Sequence, residues 1–225
     1  MKIVDWQTIN YAEAWREQEA LFQAIIAEKQ AEHPTLAMET IFLCEHPHVF
    51  TLGKGGNVHN LLINEEFLKK IGATYFHTNR GGDITYHGHG QLVGYPIIDI
   101  ENHKLSLKGY IYNLEEAIIQ TLAEYNIVGE RLVGATGVWL APHEHNTARK
   151  IAAIGVRASR FVTMHGFALN VNTDLNYFNY INPCGFTDKG VTSMEKELGQ
   201  KQNMNEVKNR IAFWLLELLN SKNVD

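Results

Sequence analysis

Helical periodicity at both ends of the chain encloses strand-length apolar runs broken by glycine, and this arrangement constrains the fold most. Residues 11–32 set Trp15, Glu19, Phe22, Ile25, Ile26 and Lys29 at helical spacing, with the apolar members on one stripe. Pro34 closes that helix. Strand-like runs follow over Thr40 to Glu45, Val49 to Leu52, Ala73 to Thr78, Ile84 to Tyr86 and Gln91 to Ile100. Asn64 to Ile71 reads as a short helix between them. Ser106 caps a longer one whose apolar face is Tyr110, Ile111, Leu114, Ile118, Leu122 and Tyr125. Three more strands are expected over Thr136 to Leu140, Lys150 to Arg157 and Phe161 to Val171, with a polar surface loop at Pro142 to Ala148. Thr192-Ser193-Met194-Glu195 has the form of a capping box, and Asn205 to Leu219 that of an amphipathic terminal helix. Strands grouped between helices predict an α+β fold with a mixed, mostly antiparallel sheet rather than βαβ repeats.

A length of 225 residues without a Pro-, Ser- or charge-rich linker suits one domain spanning 1–225. Hydrophobic residues make up 45% and charged residues 20%, as in a globular core. A net charge of −5 argues against a nucleic-acid partner, which calls for a basic footprint. No apolar run approaches the ~20 residues that cross a bilayer, so no membrane role is expected. The first residues lack the apolar centre of a signal peptide. Two cysteines, Cys44 and Cys184, fit a reducing cytoplasm better than a disulfide-stapled secreted fold.

The densest chemical signal is Arg80-Gly-Gly-Asp-Ile-Thr-Tyr-His-Gly-His-Gly90. Its glycines permit unusual backbone angles and a close approach of ligand to main chain. The spacing matches neither a phosphate loop nor a dinucleotide fingerprint, and a tight hairpin without ligand also satisfies it. Lys150 opens a strand of small and apolar residues. It can point inward, though a lysine of this kind is by default a solvated one. His165 to Asn170 reads by itself as a packed strand. In Asn182-Pro183-Cys184-Gly185 the flanking residues hold the cysteine in a turn, where nucleophile and plain turn residue are equally compatible; Cys44, inside an apolar strand, reads as structural. The pairs His46/His48, His87/His89 and His143/His145 have chelating spacing but no further ligand at a recognised interval, so no metal is expected.

Together these segments, RGGDITYHGHGQLVGYP, TGVWL, RKIAAIGVR, MHGFALNV, INPCGF and GVTSMEKELG, resemble in order and spacing the lipoyl(octanoyl) transferase family, also called lipoate-protein ligase B. The resemblance covers roughly Phe42 to Gly199. It implies the catalytic-domain fold shared by biotin and lipoate protein ligases. It also implies octanoyl transfer from octanoyl-acyl carrier protein to a lysine of lipoyl domains, namely those of 2-oxoacid dehydrogenase complexes and the glycine cleavage H protein, without a cofactor. The family's acyl-thioester cysteine falls on Cys184 and its activating lysine on Lys150. The acyl pocket falls on Arg80, Gly81, Gly82, Asp83, Ile84, Thr85, Tyr86 and His87, completed by Ala153, Ile154, Gly155, Gly166, Phe167 and Ala168. Backbone N–H groups of the glycine loop, with His87, are the expected donors to a developing oxyanion. His89 stands where the family usually has Pro, and the 142–148 loop is longer than the family norm. The rival readings are an ATP-dependent lipoate ligase of the same fold and a non-catalytic lipoyl-domain or acyl-binding module, with a metal hydrolase more distant. Cys184 in its Pro-Cys-Gly turn weighs against the first, and retention of both Cys184 and Lys150 against the second.

Overall fold

Along the chain, β1 (Lys2–Thr8) leads into α1 (Tyr11–Lys29), followed by β2 (Thr40–Glu45) and β3 (Val49–Leu52). Then come α2 (Glu65–Lys70), β4 (Thr74–His77), β5 (Ile84–His87), β6 (Gln91–Ile97) and α3 (Leu107–Ala123). The strands β7 (Glu130–Leu132), β8 (Ala135–Leu140), β9 (Arg149–Ser159) and β10 (Val162–Asn170) precede β11 (Gly190–Val191), α4 (Met194–Leu198) and α5 (Met204–Asn220). This computed structural model describes residues 1–31, 39–144, 147–182 and 190–220. Pro34 lies outside them, as do Cys184 and His145.

Among the described residues the large sheet runs β1-β2-β6-β10-β9-β8-β7, with β11 also on β9, and the small sheet runs β4-β3-β5. Only β1 on β2, β11 on β9 and β3 on β4 are parallel. The mixed, mostly antiparallel α+β architecture is therefore the expected one. Helices α3 and α5 cover one face of the large sheet through Leu114, Ile118, Ile211 and Leu215. On the other face α1 covers only one end, packing Phe22 and Ile25 onto Tyr95, Ile97, Val162 and Met164. The small sheet has its own core of Phe50, Leu52, Ile84 and Tyr86 and lies over the end that α1 leaves bare.

Local chemistry accounts for most boundaries. Ser106 accepts from Gly109 N at 3.0 Å to start α3, and Asn64 accepts from Phe67 N at 2.9 Å to start α2. The expected box at Thr192 is displaced by one residue: Ser193 is the cap, accepting from Lys196 N, while Thr192 Oγ1 bonds to Glu197. The buried stripe of α1 is Tyr11, Ala14, Gln18, Phe22 and Ile25. Trp15 and Ile26 sit at its edge, because Gln18 is turned inward to accept the backbone N–H of His165. The strand read as extending to Ile100 stops at Ile97, just past Pro96, which cannot donate to a ladder. The short strands β1, β7 and β11 carry no pattern long enough to be read from sequence.

The departure at His89 has a geometric meaning. Gln91 N donates to Gly88 O at 3.2 Å and Gly90 has φ +78°, so Gly88 to Gln91 is a turn of type II with His89 at its second position. Proline fits that position without strain. His89→Pro is accordingly expected to raise stability by about 0.4–1 kcal/mol in denaturant titrations, through the unfolded chain. A loss of more than ~1 kcal/mol would show that the His89 N–H or ring is needed.

Candidate active site

The space between the two sheets is a cavity of about 360 Å³. Its floor is laid by three adjacent strands of the large sheet. Gln91 pairs with Asn170, Val93 with Ala168, and Ala168 in turn with Ala153. Gly166 beside Gly155 comes next, with Tyr95 one step beyond Gly94. The roof comes from the Arg80 loop and β5. A Cβ on Gly155 would stand 2.9 Å from Gly81 O and 3.3 Å from the Arg80 side chain, so glycine there lets the loop sit directly on β9. Gly81 N donates to Val156 O at 2.9 Å and ties it down.

Lys150 reaches the cavity because β9 breaks its own alternation. Val138 faces Ala152 but Trp139 faces Lys150, a bulge that absorbs Ile151. Ile151 and Ala152 both enter the helix-side core, and Lys150 is turned back to the side of Ala153. Strict alternation would have put Lys150 on the opposite face. Its Nζ donates to Thr136 O at 3.1 Å and lies 4.6 Å from the centre of the Trp139 ring, two surroundings complementary to a cation. Behind it Gly137, at φ +122°, comes so near Ala152 O that a side chain has no room. The carboxylate of Glu115 accepts from Gly137 N and holds that strand in place.

A buried relay crosses the floor at the Lys150 end. Asn170 Nδ2 donates to Thr192 O at 3.0 Å, so its Oδ1 accepts from Gln91 Nε2 at 2.9 Å. Gln91 Nε2 also donates to Tyr86 O, leaving Oε1 as acceptor for His87 Nδ1 at 2.8 Å. His87 is therefore the Nδ1–H tautomer, and its bare Nε2 faces Thr51 Oγ1 at 3.4 Å. Both ring nitrogens are engaged internally, so His87 braces the floor rather than offering the oxyanion a ring N–H. Thr192 N closes the relay on Lys150 O at 3.0 Å, and Arg149 grips Glu197 through two bonds of 2.7 and 2.6 Å beside it.

Of the residues anticipated for an acyl pocket, Gly81 and Tyr86 do not line the cavity; the other twelve and Lys150 do. Gly81 is spent on the tie to β9. Tyr86 lies in the small sheet's core, stacked on Tyr177 and bonded to His48 Nδ1 at 2.7 Å. Cys184 lies outside the described residues. The chain on either side is anchored: Asn182 N donates to Asn60 O at 2.8 Å, and Gly190 and Val191 line the cavity with Val191 paired to Lys150. Sequence reasoning missed Tyr11, Tyr95, Gln91, Trp139 and His165. Four of them lie inside the quoted motifs, Gln91 and Tyr95 in RGGDITYHGHGQLVGYP, Trp139 in TGVWL and His165 in MHGFALNV, whereas Tyr11 lies in none. The paired histidines diverge: His46 bonds Ile9 O and Tyr95 OH, whereas His48 faces Tyr86 and Tyr177. Among the described residues no three His, Cys, Asp or Glu side chains converge on a metal position.

The cavity walls are dry enough to hold histidines neutral. Burial pushes His46 down to about 4. Burial, then the nearby His46 and Arg80, push His87 to about 3, and burial with Arg80 and Arg157 does the same to His165. The unfolded chain binds these protons near pH 6.5, so the stability they carry is complete above that pH and lost as pH falls toward 4 and 3. Glu39, Glu116 and Glu197 have lowered pKa values, so the stability they carry is present above the ordinary carboxylate range and is lost only as pH falls below it. Unfolding free energy from urea titration should therefore fall between pH 6.5 and 5, by up to about 1.4 kcal/mol per pH unit for each buried histidine. A flat profile in that interval would contradict the neutral assignments.

The geometry of the floor and of Lys150 can be set beside known proteins. The lipoyl protein ligase A/B catalytic domain matches residues 10–215. An octanoyltransferase of Bacteroides fragilis is 56% identical over 218 residues, 97% of each chain. Among solved structures, a bipartite lipoate protein ligase of Thermoplasma acidophilum superposes with a TM-score of 0.66 at 14% identity, covering 97% of this chain and 82% of that one. The biotin protein ligase of Aquifex aeolicus does so at 0.52 and 12%, covering 97% and 69%. These two share the fold. The family match over most of the chain and the high identity to the Bacteroides protein go further: this chain belongs to the lipoyl protein ligase A/B catalytic-domain family.

Proposed function

We propose that this chain is an octanoyltransferase, moving an octanoyl group from octanoyl-acyl carrier protein through a thioester on Cys184 to a lysine of lipoyl domains. The acceptors are the lipoyl domains of 2-oxoacid dehydrogenase complexes and the glycine cleavage H protein, and the setting is the reducing cytoplasm. The whole chain acts as one catalytic domain. The observation that carries the reading is Lys150, turned by the β9 bulge to one end of a cavity whose middle is lined by Val93, Ala153 and Ala168. An alkyl chain fits that middle, and a cation at its end suits a thiolate nucleophile. Gly190 and Val191, which follow the Cys184 segment, lie at the same end. Relatives over 97% of the chain carry the name octanoyltransferase.

In this mechanism Lys150 stabilises the Cys184 thiolate. The sulfur attacks the donor thioester carbonyl, the carrier's thiolate leaves, and Lys150 supplies its proton. The acceptor amine then attacks the acyl-Cys184 carbonyl, expels the Cys184 thiolate and gives up a proton to Lys150. Thioester exchange is nearly balanced and amide formation is downhill, so nucleotide is unnecessary. Main-chain N–H groups serve the oxyanion.

Incubation with octanoyl-acyl carrier protein should add one octanoyl mass, confined to Cys184 and absent from Cys184→Ala. Transfer to a lipoyl domain should proceed without ATP; strict dependence on ATP and free octanoate would move the chain to the ligase class. In a Cys44→Ala background, Lys150→Ala should slow thiol alkylation near neutral pH. Removing both Cys184 and Lys150 should cost little more than removing one, because residues acting as a unit are non-additive. Identical alkylation profiles would remove Lys150 from the mechanism.

A further inference from the structure

One peptide unit joins Lys150 to the helix on the far side of the sheet. The Thr136 carbonyl accepts from Lys150 Nζ at 3.1 Å, and the N–H of the same unit, on Gly137, donates to Glu115 Oε1 at 3.0 Å. The C=O and N–H of a trans peptide point in opposite directions. The unit therefore crosses β8, with a carboxylate of α3 at one end and the ammonium in the cavity at the other. Gly137, at φ +122°, holds an angle that strand residues with side chains do not adopt, and this angle sets the orientation of the peptide before it. Along this path Oε1 and Nζ stand no more than roughly 8 Å apart.

Glu115 brings more to this site than a brace requires. A neutral amide would accept the Gly137 N–H as well, and a buried carboxylate costs free energy to desolvate. Its other oxygen accepts from Arg131 Nε at 3.1 Å. Arg131 is shared: Nη2 bonds Glu116 Oε2 at 2.7 Å and Tyr112 O at 3.0 Å, and the guanidinium lies 3.7 Å from the centre of the Tyr112 ring. Two carboxylates on one guanidinium leave the cluster one negative charge in excess. An N–H donated to an anion polarises its peptide and makes the carbonyl a stronger acceptor. The excess charge thus acts, through Thr136 O, on Lys150 Nζ.

We propose that Glu115 is a positioning residue for Lys150: through the Thr136–Gly137 peptide its carboxylate keeps the lysine an ammonium at its end of the cavity. The inference rests on the role given above to Lys150 in octanoyl transfer and names the group on which that role depends. Other ionisable groups surround the lysine. Arg80 and Asp83 line the cavity from its roof, and Arg149 is bonded to Glu197 beside it. His87 and His165 are neutral there, and burial keeps Tyr11 and Tyr95 protonated. All of these stay in place when the α3 cluster is altered.

The test reads the lysine itself. Wild type, Glu115→Gln and Arg131→Gln are labelled with trace acetic anhydride across roughly pH 7 to 11, and acetylation of Lys150 is followed by peptide mass spectrometry against exposed Lys69. Glutamine in place of Glu115 can still accept the Gly137 N–H, and in place of Arg131 it can still donate to Glu115. The two variants change the cluster charge in opposite senses. Glu115→Gln should lower the pH of half-maximal Lys150 reactivity by roughly one unit, and Arg131→Gln should raise it by about half a unit, with Lys69 unmoved. The basic limb of kcat/KM for octanoyl transfer should move in the same two directions. General loosening of β8 would move both variants the same way; that result, or no movement in either, overturns the proposal. Should Glu115→Gln fail to fold, Arg131→Gln decides, and a midpoint that stays or falls overturns it. Absence of octanoyl transfer in wild type would overturn the octanoyl reading, while opposed labelling shifts would still uphold the coupling of Glu115 to Lys150.

Discussion

The Gln91 amide is the joint on which the two sheets meet. It opens β6 of the large sheet, directly after the turn that leaves β5 of the small one. Its Nε2 donates to Tyr86 O on one side and Asn170 Oδ1 on the other, while its Oε1 holds the ring of His87. Gln91 is fully buried, and each of these bonds left unmade would cost about 1–3 kcal/mol. The relay therefore holds as a unit and keeps the sheets at one separation. A cavity exists between them because α1 ends short of this point and the small sheet, propped by the relay, cannot collapse onto the floor.

Both ends of that cavity are made by faults in regular β-structure. At one end the bulge at Ile151 turns Lys150 to the cavity face; at the other, the rung lost at Pro96 frees His165 to turn the same way. Between the faults the strands alternate normally and present Val93, Ala153 and Ala168. A polar–apolar–polar sequence thus runs along the floor on three strands that would otherwise be uniform. Each fault is braced: Glu115 holds Gly137 behind Lys150, and Gln18 takes up the His165 N–H. Bracing of this kind keeps locally unfavourable backbone in place.

The dry surroundings give these groups their chemistry. His46, His87 and His165 are held neutral by burial, with Arg80 close to His87 and His165 and Arg157 close to His165. Neutral imidazoles in fixed tautomers act as hydrogen-bond braces or acceptors, while Lys150 lines the cavity as a cation. Its carbonyl and ring contacts also position the ammonium where β11 brings the chain back from the Cys184 segment.

The fold class was legible because it depends on near-neighbour pattern: helical spacing in α1, α3 and α5, alternation in the strands, and the cap at Ser106. Most of the cavity floor and roof was legible too, since Arg80, Gly155 and Gly166 sit in dense, ordered motifs. The helix stripe of α1 was misplaced by the inward turn of Gln18, a polar residue buried for the sake of a backbone N–H 147 positions away. The short strands β1, β7 and β11 acquire their structure from partners rather than from their own residues. What tertiary structure alone decided was direction. A period-2 reading sends Lys150 away from Ala153, and it takes the pairing with β8 to absorb Ile151 and reverse it. The same reading keeps His165 in its ladder with β6, and it takes Pro96, opposite it only in the folded register, to remove that rung. Sequence determined which groups are present and their order along the chain; which face each one meets was set by hydrogen-bond partners that only folding brings together.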